Sequence, residues 1–338
     1  MESRIRQGGD RGGMNNDAVR VNQFDVWVIF PSLRLLEAVR YAFSLQCLLI
    51  AFVAVICLNL IRAAFWIPWM NGEHVAVSFT GELDYCFSTL SRSVFRQTLP
   101  SMLSILGRLA ILQALIGFSG CAIARCAGFS LCKGHRAGAL SSLRFSVRQW
   151  KSILIGILIY LALLFGVGVM ARIAVASSSL LPQIDITIHP GEILRRIMAV
   201  TSILVVLVLT AGWLLSLPAI GIDGCDGPES LSRGISYVLS QFWRTVCYAV
   251  AMGPAVWGVS LLMAWLMQYS GWQLEPNRPL SESSEPDFTA YILAGTCGYS
   301  MLMSAVAVSY VLLRRFEDGI SISEVAATRS AGTQRRQA

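Results

Sequence analysis

The chain has 338 residues, of which 55% are hydrophobic and 14% charged, and its mean hydropathy is +0.60. A soluble domain carries about 25% charged residues, so an ordinary soluble protein is excluded. The net charge of +7 does not point to nucleic acid, because the basic residues flank apolar runs instead of forming a surface of their own.

Met1–Asn22 is polar and rich in Gly, Arg and Asn. It is expected to be a disordered cytoplasmic tail, with no signal peptide. Pro31-Ser32 then opens a short helix through Leu33, Leu36, Val39 and Phe43, which leads into the first of six apolar runs. The runs are 44–61, 101–124, 153–171, 197–222, 246–267 and 291–313, and none contains Asp, Glu or Lys. A hydrocarbon core of about 30 Å takes about 20 helical residues, so each run is long enough to cross. The expected fold is all-α: a polytopic transmembrane bundle of six spans over 23–323, with a second disordered tail at 324–338. The length leaves no room for a separate globular domain.

After the first run, Leu83, Phe87, Leu90 and Val94 fall at helical spacing, with Arg92 and Arg96 off that stripe. This predicts a helix lying on the outer interface. The second run holds Arg108, the one formal charge inside any run. Leu109–Ala124 spans 16 residues, about 24 Å of helix, so Arg108 lies about 6 Å below the outer boundary of a ~30 Å core. Its side chain can snorkel that far, which is the expected behaviour. The alternative is an anion or headgroup contact in an outward cavity.

The second connection, Arg125–Lys151, holds six basic residues and no acid. Leu140, Leu143, Val147 and Trp150 form one stripe, and Arg144, Arg148 and Lys151 another. That pattern predicts an interfacial helix with a cationic face and Trp150 as its anchor. The fourth connection repeats it. Asp226-Gly227-Pro228-Glu229 reads as an N-cap, an early proline and a capping-box acid. Leu231, Ile235, Val238 and Phe242 form the apolar stripe, and Arg233, Ser240 and Arg244 the polar one. Gln149-Trp150-Lys151-Ser152-Ile153 matches Phe242-Trp243-Arg244-Thr245-Val246 in character, so the two central helix pairs read as candidates for a parallel duplication. The candidate lipid-headgroup contacts are Arg144, Arg148, Lys151, Arg233 and Arg244.

Pro218 and Pro254 interrupt the fourth and fifth runs and can kink them. They serve packing or widen a cleft. Ala114, Gly117, Cys121 and Ala124, the pair Ala162 and Gly166, and Gly295, Gly298 and Ser304 make small faces for close helix approach. The fifth connection, Gln268–Asp287, carries Pro276, Pro279, Pro286 and a Ser/Glu run, and reads as an exposed loop.

Nineteen Lys and Arg fall on the side of the N-terminus, second and fourth connections and C-terminus, against seven on the other side. The positive-inside bias therefore puts both termini in the cytoplasm of a cell whose inner membrane holds the protein. The nine cysteines form no CxxC pair, and His74, His135 and His189 sit in three different connections. No metal site, cofactor or disulfide framework is expected. No acid or histidine lies in a run, no phosphate loop occurs, and no catalytic residue can be assigned.

Asp226-Gly227, Leu231-Ser232-Arg233-Gly234, Tyr237-Val238, Trp243-Arg244 and Tyr248, with Ala122–Arg125 and Leu143–Ser146 before Trp150, carry one resemblance. Over Gly117–Tyr248 the chain resembles uncharacterised polytopic membrane proteins of planctomycete-type bacteria. The resemblance implies fold and location and no activity. The expected function is non-catalytic: organising membrane lipids, or an unidentified membrane or cytoplasmic protein, at the cytoplasmic face. The alternative is a small-molecule or lipid permease.

Overall fold

The computed structural model describes residues 35–61, 99–133, 137–178, 190–274 and 288–318. In chain order these form α1 (Glu37–Ala42), α2 (Leu45–Ile61), α3 (Leu99–Lys133), α4 (Ala139–Arg148), α5 (Trp150–Ser178), α6 (Pro190–Pro218) with a π-helical turn at Ala219–Asp223, α7 (Gly227–Ser240), α8 (Phe242–Leu274) and α9 (Phe288–Asp318). No strand occurs among the described residues, and the architecture is an all-α helical bundle. Helices α3, α5, α6, α8 and α9 are long and apolar enough to cross a membrane, and the protein is membrane-integral. The first expected span is α2, apolar but only 17 residues long. The six runs thus resolve into five long helices and one short one among the described residues. The tails 1–22 and 324–338, Pro31–Leu33, the helix expected at Leu83–Val94, the Ser281–Glu285 run, Cys86 and all three histidines lie outside the described residues.

All five long helices overrun their apolar stretches, and two of the extensions shorten an expected connection. The expected connection from Arg125 is helix as far as Lys133. Arg125 does not end α3 because its charge is accommodated between helices. Its guanidinium donates to the Gly221 carbonyl at 3.1 Å and lies 4.6 Å from the Phe129 ring and 3.9 Å from that of Phe145, a cation–π arrangement. Likewise the loop expected from Gln268 begins later, since α8 continues to Leu274.

Helix α9 is the central post: 83% of its span is buried, against 17% for α8. Small residues let the other helices come close. A Cβ on Gly221 would lie 2.7 Å from the Cys121 carbonyl oxygen, and one on Gly234 would lie 2.2 Å from that of Gly212. Those two contacts clamp the π-turn to α3 and cross α7 tightly over α6. Ala114, Gly117, Cys121 and Ala124 do serve packing, with Gly117 against Ile153, Ile157 and Trp213. The Ala162–Gly166 pair does not. Both are exposed, and nothing lies within 4 Å of a Cβ built on Gly166.

Several polar groups between the spans pair with one another, as a low-dielectric interior favours. Ser119 and Tyr299 share a 2.6 Å hydrogen bond. Tyr160 and Thr210 share one of 3.2 Å, with Tyr160 stacked on Trp213 at 5.6 Å. Ser300 donates to the Ala42 carbonyl at the end of α1, at 2.7 Å.

Pro218 ends α6 without a simple kink. The chain widens into the π-turn, and Gly224 closes it in the left-handed region at φ 69°. Only glycine adopts that conformation at no steric cost. The Gly224 N–H returns to the Ile220 carbonyl at 3.0 Å, a helix-terminating pattern.

An outward-facing apolar helix, a buried charge cluster and a cleft as candidate sites

Helices α1, α4 and α7 gather at the end of the bundle where α3 and α9 finish. Tyr41 packs on Ala127 and Ala307, Cys126 bonds Ser142, and Tyr237 bonds Asp318. Each short helix breaks before the long helix that follows it: at Phe43-Ser44, at Gln149 and at Gln241.

Helix α4 is turned inside out by aqueous standards. Ser142 and Ser146 are buried, and Ser142 receives the Cys126 thiol at 3.1 Å. Leu140 and Val147, by contrast, are 83% and 62% exposed, and Trp150 at the start of α5 is also exposed. Only Leu143, Phe145 and Ala139 pack inward. Three of the four residues of the expected apolar stripe therefore face away from the protein. Arg144, Arg148 and Lys151 are exposed beside them, and the Lys151 ammonium lies 5.8 Å from the Trp150 ring.

Helix α7 differs, and here the expectation needs correcting. Its stripe of Leu231, Ile235 and Val238 packs on protein, and Ile235 sits against Gly212 of α6. The Gly212–Gly234 crossing draws the helix into the bundle, so it is not an interfacial helix of the α4 kind. Only Leu239, Phe242 and Trp243 remain exposed. Asp226 occupies the N-cap position, but its side chain makes no capping bond. Glu229 does not turn back to complete a capping box and instead pairs with Arg233 at 2.7 Å.

The charged groups near α7 form a cluster that sequence reasoning missed. Asp223, the last residue of the π-turn, pairs with Arg314 of α9, and both side chains are 8% exposed. Tyr310 donates to the other oxygen of Asp223 at 2.5 Å, and the Arg233 guanidinium stands 3.9 Å from it. Arg314 also reaches Asp318 at 3.1 Å, and Tyr237 donates to Asp318 at 3.3 Å. Burial, with Asp318 adding to it, pushes the Tyr237 phenol up to about 12. Burial pushes the Cys225 thiol up to about 11. The cluster joins three elements: the end of α6, α7 and α9. Asp223 and Arg314 escape a linear reading because each sits one residue past an apolar run.

These placements divide the predicted headgroup contacts. Arg144, Arg148 and Lys151 are displayed on α4 and the start of α5. Arg233 is engaged by Glu229 and Asp223. Arg244 hydrogen-bonds Gln241 at 3.0 Å and lies 3.9 Å over the Phe316 ring. Arg108 is on α3, and its side chain lies outside the described residues.

The third feature is a cleft of about 630 Å³ between α6, α8 and α9. Its walls are mostly apolar and include Leu214, Tyr248, Met252, Val256, Trp257 and Leu302. Pro254 lies in the α8 stretch that forms one wall. Thr245 lines it too, and its hydroxyl is buried with no hydrogen-bond partner among the described residues. No group of His, Cys, Asp or Glu able to hold a metal ion is found among the described residues.

No family model, curated protein or solved structure matches the chain.

Proposed function

We propose that the chain is a non-catalytic protein of the cytoplasmic membrane, with both termini cytoplasmic, which organises anionic lipid at the cytoplasmic face through α4. One observation carries the reading: α4 buries Ser142 and Ser146 and, with the start of α5, displays Leu140, Val147 and Trp150 next to Arg144, Arg148 and Lys151. Large apolar groups on the outside of a helix are stable at a membrane interface and unfavourable in water. Cations beside them meet phosphates at headgroup depth, each adding ~1 kcal/mol near an anionic surface. The Lys and Arg distribution along the sequence supports the orientation. The resemblance to planctomycete-type membrane proteins over Gly117–Tyr248 is compatible with this location.

Native mass spectrometry of the full chain released from mixed vesicles tests the reading. Phosphatidylglycerol should be retained over phosphatidylcholine. Replacing Arg144, Arg148 and Lys151 by Gln should lower that preference by about fivefold per charge. An unchanged preference in the triple variant overturns the proposal. The alternative, a permease for lipid or small molecules, draws on the cleft beside Pro254. The apolar walls of that cleft suit a lipid better than a hydrated solute.

A further inference from the structure

We propose that the cleft between α6, α8 and α9 is a binding site for one acyl chain of a membrane phospholipid, entering from the leaflet at the α7 end of the bundle. The proposal extends the lipid-binding reading above but stands on different residues, so either can fail alone.

Depth and length argue for an acyl chain. The cleft's walls are membrane-spanning helices, so what fills it comes from the hydrocarbon. On α9 the lining runs from Leu302 to Leu313, about 16 Å at 1.5 Å per residue. That is close to half of a ~30 Å hydrocarbon core, the reach of one leaflet. The volume lies within the range of about 300–1,000 Å³ that holds ligand-sized molecules.

The polar groups are placed as a phospholipid requires. They concentrate at one end, where Thr245 has a buried hydroxyl without a partner. A buried donor left unpaired is costly; rotation about its Cα–Cβ bond would bring the hydroxyl to the cleft, where an ester carbonyl at the top of an acyl chain would accept from it. The adjoining Arg244, over Phe316 of α9, stands near where the phosphate of such a lipid would lie, with Glu317 the acid of that rim. Deeper in, Ser260 is satisfied by its own helix through the Val256 carbonyl at 3.0 Å, so nothing there asks for a polar ligand.

The shape of the bundle explains why the cleft stays open. Helix α8 is held to α9 at Gly298, where a Cβ would lie 2.2 Å from the Ser260 hydroxyl. Toward the α7 end, α8 stands away from α6, with Gly253 in the wall. A Cβ built on Gly253 meets nothing within 4 Å. A larger side chain there fills the cleft without displacing protein.

Photolabelling tests this. The full chain is reconstituted in phosphatidylcholine vesicles with a trace of phosphatidylglycerol bearing a diazirine midway along one acyl chain, and adducts are mapped by peptide mass spectrometry. Adducts should concentrate on Met252, Val256 and Leu302, above the outward-facing Val250 and Leu261. Gly253→Phe should lower them about tenfold, the effect of excluding two or three buried methylenes. Gly258→Phe is the control, since that glycine is on the same helix, also meets nothing within 4 Å and does not line the cleft. It should leave the adducts unchanged. Val306→Phe blocks the cleft from α9 and supplies an independent arm should Gly253→Phe fold poorly. Cleft adducts no more abundant than those on Val250 and Leu261, or equal losses in Gly253→Phe and Gly258→Phe, overturn the proposal.

Discussion

Helices α4 and α7 occupy similar places and are built from similar sequence. Each is short and amphipathic, each breaks at a glutamine, Gln149 or Gln241, and each leads into a long apolar helix. Yet α4 turns Leu140, Val147 and Trp150 outward, while α7 turns Leu231, Ile235 and Val238 inward. The difference comes from what each helix meets. Helix α7 carries Gly234 at its crossing with Gly212 and can approach α6 backbone to backbone. At its contact with α3, α4 offers Ser142, bonded to Cys126, and keeps Leu140 and Val147 outside. An amphipathic pattern therefore says that one face is apolar but not whether protein or lipid covers it. Small residues on the neighbouring helix decide that.

The charges sharpen the contrast most. Arg314 is buried with Asp223 beneath α7, whereas Arg148 on α4 is exposed. Arg314→Leu leaves a carboxylate buried without its closest cation. It should lower stability by about 3–5 kcal/mol, read as unfolding of the purified protein in detergent. Arg148→Leu should change stability by less than about 0.5 kcal/mol. The double variant Asp223→Leu/Arg314→Leu should recover much of the loss, because the buried carboxylate is removed with its cation and Asp318, which also loses Arg314, is partly exposed. Equal costs for Arg314→Leu and Arg148→Leu would erase the distinction between the two helices.

Backbone contact gives the next largest effect. Gly234→Ala places a methyl group 2.2 Å from the Gly212 carbonyl and should cost about 1–3 kcal/mol through overpacking. Gly166→Ala, in the open on α5, should be neutral or stabilising by up to ~1 kcal/mol through helix propensity. The same unfolding measurement compares them. A neutral Gly234→Ala would mean that α7 is not clamped to α6.

Topological equivalence can be tested separately from stability. Cys225 is a poor reporter of sidedness, because it is buried and its thiol is pushed up to about 11 by that burial. Silence at this position says nothing about which side it faces. Ser141 of α4 and Ser232 of α7 are exposed. Ser141→Cys and Ser232→Cys, each in a Cys247→Ser background, should both react with a membrane-impermeant maleimide from the same side of sealed vesicles. Labelling from opposite sides would break the equivalence of the two connections.

The spans were legible in the sequence because twenty apolar residues without an acid have few other fates. Helix ends were less so. Arg125 looks like a boundary, but its charge is held by Gly221 and two aromatic rings, two of those partners being distant in sequence. The Asp223–Arg314 pair is separated by 91 positions and has no periodic signature. The cationic stripe of α4 was legible as a pattern, and its outward neighbours Leu140 and Val147 only in three dimensions. The apparent repeat shifts by one residue. Matching Trp150 with Trp243 in sequence puts the two helix breaks, at Gln149 and Gln241, out of step. Aligning the breaks pairs Trp150 with Phe242 instead. Pro218 and Pro254 raise a cleft as one alternative, but its walls and its size could not be read from the chain, since they depend on how far α8 stands from α6.

The smallest expected effect is a pH dependence, and it too separates the two short helices. Tyr237 of α7 is pushed up to about 12 by burial and by Asp318, with Asp223 adding to the shift and Arg314 and Arg233 opposing it. Helix α4 has no tyrosine. A phenol whose value is raised on folding favours the protonated native state. Its stabilising contribution is complete below the ordinary value of about 10 and declines as pH climbs toward 12, because the unfolded chain ionises first. Tyr41 of α1, also pushed up to about 12 by burial and by Glu37, acts in the same direction and window. Stability in detergent should therefore fall between about pH 10 and 12. Tyr237→Phe should flatten that fall while costing little near neutrality, since the bond it removes is a long one at 3.3 Å. Tyr41→Phe should flatten it further, and the double variant by the sum, because the two phenols sit on different helices and do not touch the same carboxylate. An alkaline profile identical to wild type in the double variant would show that neither phenol is held neutral by the fold, and that α7 packs less tightly against α9 than the Tyr237–Asp318 contact requires.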